Sequence, residues 1–384
     1  MKKKILFILG TRPEAVKVAP LYQALKGHVA FEPLIALTGQ HPEMADEILS
    51  FFGIVPDFKM VLNRTSFSLS EFTAECLREV NAVIEKSLPD LVFVHGDTSS
   101  TFCGALAAYY HKIPVAHLEA GLRTGDKYSP FPEEMMRKMT GSLAEYHFAP
   151  TENAKQALLK ENTSAKGIFV VGNSVIDALL WTVDKIQQDN VLKEFILNDF
   201  KRLGLSEDLN HKIILVTGHR RENFGGRFEK ICHAIRTLSQ DHPDYHFVYP
   251  VHLNPNVQKP VNEILGGIAN VHLIPPVNYP HFVYLMMSSQ FILTDSGGIQ
   301  EEAPTLGKPV LVMRDTTERP EAVEAHCAKL VGTDHIVQAA KSLIQDKGVY
   351  NSMSGAQNPY GNGKTAQAIV NILEDVLKIS DKPL

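Results

Sequence analysis

Short apolar runs recur along this chain. Each is followed by a Gly-rich or polar turn and then by a helical pattern, and no other feature restricts the fold so strongly. KILFILG precedes TRPEAVKVAPLYQALKG, FEPLIALTG precedes HPEMADEILSFFG, and DLVFVHGD precedes TSSTFCGALAAYYHK; IPVAHLEAG, EYHFAPT and GIFVVGNSVIDALLW complete a first series. A polar helical stretch follows over about 177–202, and the pattern then restarts with KIILVTGHRREN, DYHFVYPVH, NVHLIPPV, QFILTDSGGIQEEA, KPVLVMRD and AKLVGTD. Strands alternating with helices of this length specify βαβ units and mostly parallel sheets. The expected architecture is α/β, with two Rossmann-like domains: residues 1–172, joined by a C-terminal helix at 364–378, and residues 173–363.

Composition narrows the function classes. With 44% apolar and 21% charged residues, disorder and coiled coil are excluded. A net charge of −5 argues against nucleic acid or an anionic membrane as the main partner. No stretch approaches the ~20 apolar residues of a membrane span. The N-terminal MKKKILFILG lacks a long apolar core and a small-residue cleavage site, so it reads as a first strand rather than a signal peptide. Cys76, Cys103, Cys232 and Cys327 are widely spaced and form no CxxC pair, which points to free thiols in a reducing cytoplasm and to no metal site.

The chemistry-bearing residues cluster at strand ends. Gly10-Thr11-Arg12-Pro13-Glu14 joins the first strand to its helix, with Pro13 in the first turn where its missing N–H costs nothing. Arg12 then lies at the carboxyl edge of the sheet, where open α/β sheets bind ligands, and its planar, permanently charged fork suits phosphate. Lys17 follows one turn later. Asp97 ends LVFVHGD, Glu119 ends VAHLE, and Glu133 follows TGDKYSPFP. Carboxylates gathered at one sheet edge suit acid/base work, although Asp97 also fits a helix cap. In the second series Ser296-Gly297-Gly298 opens a helix after a strand, an anion-binding arrangement that fits a diphosphate. Glu301 and Glu302 follow, one of them suited to ribose hydroxyls. His219-Arg220-Arg221-Glu222 adds a histidine and positive charge after another strand. There is no GxGxxG, so no dinucleotide site is signalled. GNGKT at 361–365 lacks the first P-loop glycine, since Asn358 stands there. His117-x-Glu119 lacks the PCxxC of a zinc deaminase.

GTRPEAVKVAPL, VHGDTSSTF, HLEAGLRTGDKYSPFPEEMMR, TGHRREN, YPVHLNPNV, LTDSGGIQEEAPTLGKPVLVMRDTTERPEAV and NPYGNG, in this order, resemble the bacterial non-hydrolysing UDP-N-acetylglucosamine 2-epimerases, from about residue 4 to 376. The resemblance implies a GT-B glycosyltransferase-like fold with the active site in the interdomain cleft. It implies reversible epimerisation of UDP-N-acetylglucosamine to UDP-N-acetylmannosamine by anti elimination of UDP and re-addition to 2-acetamidoglucal, with no cofactor. Carried over by motif, Asp97, Glu119, Glu133, His219 and Lys17 are the catalytic set, without assignment of the C2 base. Arg12, Arg123, Phe282, Ser296, Gly297, Gly298 and Glu302 bind the substrate. The family also implies a homodimer in the cytoplasm that serves cell-surface polysaccharide synthesis.

Many members hold a second substrate molecule as activator on a segment that here reads Gln40-His41-Pro42-Glu43-Met44. Gln40 and His41 match. Pro42 and Glu43 depart from the pattern, and Glu43 would repel a diphosphate by about 1 kcal/mol at an exposed contact in water. The alternatives are a hydrolysing epimerase of the same fold, a GT-B glycosyltransferase, and an inactive nucleotide-sugar sensor.

Overall fold

The computed structural model describes residues 2–40, 42–62, 68–205 and 212–378. The first series forms a seven-stranded sheet of β1 (Lys3–Leu9), β2 (Phe31–Leu37), β3 (Phe58–Lys59), β4 (Leu91–His95), β5 (Val115–Leu118), β6 (Tyr146–Ala149) and β7 (Ile168–Val170). Their spatial order is β3-β2-β1-β4-β5-β6-β7, with every pair parallel. The second series forms a six-stranded sheet of β8 (Ile213–Thr217), β9 (His246–Pro250), β10 (Val271–Ile274), β11 (Ser289–Thr294), β12 (Val310–Val312) and β13 (Ala328–Leu330). It is ordered β10-β9-β8-β11-β12-β13 and is again parallel throughout.

Parallel strands are covered by helices on both faces and so read as continuous apolar runs. Ile5–Leu9 of β1 are fully buried. Phe7, Phe93, Phe148 and Phe169 stack in series at 5.0, 5.6 and 5.7 Å between ring centroids, which ties β1, β4, β6 and β7 together. The helix Ser99–Tyr110, capped by Thr98, packs on β1 and β4 at close range. Gly104 permits that approach, since a Cβ there would lie 2.8 Å from Val94 Cγ1 and 3.1 Å from Ile8 Cβ. The core of the second sheet is built on Phe228, Phe247, Tyr249 and Phe291.

The chain divides into two compact units, one up to Ala178 and resuming at Tyr360, the other from Leu179 to Pro359. One limit lies inside the helix Val175–Gln188 and the other after the second residue of NPYGNG, beside the 172/173 and 363/364 expected from the sequence. The reason is local bonding. Asn173 N donates to Tyr360 O (2.7 Å), Thr365 Oγ1 donates to Val171 O (3.0 Å), and Asp177 accepts from Thr365 N and Ala366 N. The buried Asp177 thereby caps the helix Thr365–Val376, which packs against the helix Arg12–Lys26. No helix among the described residues is long and apolar enough to cross a membrane.

Candidate active site

Strand order reverses between β1 and β4 in the first sheet and between β8 and β11 in the second. Loops leaving the carboxyl ends of strands at such a reversal diverge and leave a crevice for ligand. The four loops concerned are Gly10–Thr11, Gly96–Thr98, Gly218–Arg220 and Asp295–Ser296, all inside motif strings singled out above.

In the first unit the β1 loop is drawn tight against its neighbours. A Cβ on Gly10 would fall 2.1 Å from Ser100 Oγ, so only glycine fits. Glu14 is 2% exposed, and its carboxylate accepts from Gly10 N, Thr11 N and Thr98 Oγ1. It thus ties the β1 loop to the β4 loop. Burial pushes its carboxyl up, against the pull of those bonds and of His95. Arg12 beside it is exposed. Lys17, one turn further, is buried and forms an ion pair with Glu119 Oε2. The same oxygen accepts from Asn173 Nδ2 at 2.9 Å and lies 3.4 Å from His95 Nε2. Glu119 has φ +62, a left-handed conformation that costs a glutamate of order 1 kcal/mol and is held by these contacts.

Asp97 follows Gly96 (φ +69) and pairs with Arg137 Nη2. His117 lies behind this loop, its Nε2 2.7 Å from Gly96 O; burial holds its imidazole down to about 3, so it is a neutral structural group. Glu133 opens the helix Glu133–Leu143 and is half-buried. Arg123 pairs in two-pronged fashion with Glu161, at 2.9 and 2.7 Å, and donates to Leu122 O. Gln40 accepts from Ser100 Oγ at 2.7 Å, and Glu43 is exposed in the first turn of the helix Pro42–Phe51. His41 lies outside the described residues.

In the second unit Asp295 organises both loops. Its side chain is fully buried and accepts from His219 N (3.1 and 3.0 Å), Arg220 N (2.9 Å) and Asn223 Nδ2 (3.2 Å). The His219 ring stacks on His252 with centroids 5.4 Å apart. Ser296 is the N-cap residue of the helix Gly297–Glu302. Gly297 is flanked by two guanidinium groups: a Cβ there would lie 3.7 Å from Arg220 Nη2 and 3.7 Å from Arg319 Cζ. Arg319 pairs with the buried Glu301. Burial alone would raise the carboxyl of Glu318, but hydrogen bonding and Arg314, Arg220 and Arg319 hold it down to about 2. Glu302 Oε1 accepts from Tyr279 OH at 3.3 Å; burial and that carboxylate push the phenol well above its ordinary value. Phe282 is half-buried on the helix Tyr279–Ser288, whose N-cap is Asn278.

The structure therefore gathers Arg12, Lys17, Asp97 and Glu119 at one switch point, and His219, Ser296, Gly297 and Gly298 at the other. Arg123 is engaged elsewhere in its unit. Sequence reasoning missed Glu14, Asn173, Arg137, Asp295 and Arg319. Glu14 had a readable signal, because Thr11-x-x-Glu14 is a capping-box spacing. The others act through partners distant in sequence and had none.

Two doubly wound parallel-sheet units in one chain, one with carboxylates and the other with an arginine-flanked glycine turn at the switch point, define the GT-B-like class of nucleotide-sugar enzymes. The family model for UDP-N-acetylglucosamine 2-epimerase matches residues 23–374. The UDP-N-acetylglucosamine 2-epimerase of Yersinia pestis is 52% identical over 374 residues, covering 97% of this chain and 98% of its own. The crystal structure of the Neisseria meningitidis UDP-GlcNAc 2-epimerase bound to UDP-GlcNAc superposes with a TM-score of 0.90 at 46% identity, covering 97% of this chain and 100% of that one. The Methanocaldococcus jannaschii enzyme in complex with UDP-GlcNAc and UDP superposes with a TM-score of 0.79 at 33% identity, covering 98% and 100%. The chain belongs to the UDP-N-acetylglucosamine 2-epimerase family.

Proposed function

We propose that this chain interconverts UDP-N-acetylglucosamine and UDP-N-acetylmannosamine without releasing the sugar to water. The observation that carries the chemistry is the first switch point, where Asp97 and Glu119 are each fixed beside a cation. No carbonyl acidifies the C2–H bond of the substrate, so direct proton abstraction is slow. In the elimination the C1–O bond breaks, UDP leaves with the bonding pair, and positive charge builds on the ring. Fixed carboxylates lower the energy of that charge because they need no reorganisation as it forms. A base takes the C2 proton, and the C1–C2 double bond of 2-acetamidoglucal forms. Protonation of the opposite face and return of UDP then give the epimer. One group of the set Asp97, Glu119, Glu133 and His219 takes the proton and another returns one.

The departing diphosphate is assigned to Arg12 and to Ser296–Gly298, with Glu302 on the ribose and Phe282 beside the uracil. Support comes from the exposed Arg12 and from the two guanidinium groups at Gly297. The Asp97→Asn variant tests this reading. Turnover should fall while UDP binding, followed by calorimetry, stays unchanged; retained turnover overturns it.

The family resemblance also supports a cytoplasmic homodimer that feeds cell-surface polysaccharide assembly, and light scattering on the purified protein tests the dimer. A second substrate molecule beside Gln40, His41 and Glu43 is a separate proposal, opposed by the charge of Glu43. Sigmoidal substrate dependence supports it, and hyperbolic dependence rejects it.

A further inference from the structure

Arg137 enters the scheme above only as the cation beside Asp97, and it is one of the most buried cations among the described residues of the first unit. It sits on the helix Glu133–Leu143, and its side chain is 10% exposed. Nη2 donates to Asp97 Oδ2. Nη1 donates to Leu122 O at 3.3 Å and lies 3.3 Å from Glu134 Oε2. Glu134 cannot swing away, because it is fully buried and its two oxygens accept from Thr124 N and Gly125 N, both at 3.1 Å. Lys138 Nζ stands 3.7 Å from the other Glu134 oxygen. The guanidinium is thus locked from behind by one carboxylate and a carbonyl, and presents its remaining edge to Asp97. Its Nε is buried without a hydrogen-bond partner, the kind of unmet donor tolerated where a geometry is held for another purpose.

The fork matters. A planar guanidinium bridges two carboxylates in fixed directions, whereas an ammonium acts as a point charge. Asp97 sits on the turn after Gly96, where Arg137 Nη2 donates to its carboxylate.

We propose that Arg137 is a positioning residue for the elimination: held by Glu134, it sets the orientation of the Asp97 carboxylate from the helix Glu133–Leu143. The proposal rests on the reading that Asp97 acts on the sugar. The rival explanation is that Arg137 only clips this helix to the loop at 122–125. The two differ in coupling. A positioning residue acts only through the Asp97 carboxylate, whereas a clip acts on the loop whatever stands at position 97.

The test is a double-mutant cycle on the full chain, reading epimerisation by proton NMR and UDP affinity by calorimetry. Arg137→Met should lower kcat about 100-fold, the loss typical of a misplaced catalytic group. KM and UDP affinity should stay within about threefold, because ground-state binding is untouched. Arg137→Lys, which keeps the charge and loses the fork, should recover part of kcat. In an Asp97→Asn background, Arg137→Met should cost less than about threefold more. Equal losses in both backgrounds, or a rise in KM matching the fall in kcat, would overturn the proposal in favour of a clip. A wild-type kcat for Arg137→Met overturns it outright. Should Arg137→Met fail to fold, Arg137→Lys alone decides: a folded protein with undiminished kcat rejects the role. Full turnover by Asp97→Asn with Arg137 intact rejects the underlying reading instead, so the two failures are distinct.

Discussion

Replacing Lys17 by Met gives a perturbation whose size follows from the geometry. Lys17 and Glu119 have side chains 11% and 10% exposed and form a direct ion pair. Removing one partner of a buried pair leaves the other charge desolvated, which costs about 3–5 kcal/mol. Asn173 Nδ2 at 2.9 Å and His95 Nε2 at 3.4 Å stay beside the same oxygen and reduce the penalty. The lower end, about 3 kcal/mol, is therefore expected. Glu119→Gln removes the anion from the same buried pair and should cost a similar amount. The double variant Lys17→Met with Glu119→Gln removes both charges and should cost no more than either single variant, far below their sum. The assay must report the right unit. The chain has one tryptophan, Trp181, and it lies in the second unit, so its fluorescence does not follow this pair. Hydrogen exchange of the β1 and β4 amides in rising urea does. A Lys17→Met cost below about 1 kcal/mol, or additive costs in the double variant, would falsify the buried-pair argument.

Three further predictions concern buried polar groups that hold the strands and loops in place. Burial holds His117 down to about 3 and His147 to about 4, so both stay neutral in the folded chain while the unfolded chain binds protons below 6.5. Their contribution is fully present above that value and is lost as pH falls towards the folded values, by about 2 kcal/mol per histidine at pH 5 relative to pH 7.5; a flat urea midpoint over that range contradicts it. Glu14→Gln should destabilise the first unit by about 2 kcal/mol, because the amide cannot accept from all three donors, and should lower kcat/KM; unchanged exchange protection of the β1 loop contradicts it. Asp295→Asn turns an amide donor towards backbone N–H groups. It should weaken UDP binding about tenfold or more, the effect of losing about 1.4 kcal/mol of loop order, and unaltered UDP affinity by calorimetry refutes it.

The parallel sheets were legible because strands buried on both faces cannot alternate with polar residues; the unbroken apolar runs ILFIL and LVFV lie in β1 and β4. The loops that follow them were legible for a related reason. A glycine pressed against a neighbouring helix, such as Gly10 on Ser100, leaves a fixed letter in the sequence. Strand order was not legible, since it depends on which crossover each helix takes. Arg123 shows the limit most plainly. The family motif carries it over as a substrate-binding residue, and its guanidinium pairs with Glu161, a partner 38 residues away that no local spacing announces. Arg137 and Asp97, 40 residues apart, were hidden in the same way. Glu14 was readable as a cap, but its bond to Thr98 joins two strand ends that are neighbours only in the folded sheet.

The most direct measurement is proton NMR of UDP-N-acetylglucosamine incubated with the purified protein in D2O, without added NAD or metal. The elimination account predicts a growing UDP-N-acetylmannosamine signal, deuterium entering at C2, and UDP attached to both epimers. Free UDP accumulating with free N-acetylmannosamine, or epimer formed with protium retained at C2, would contradict it.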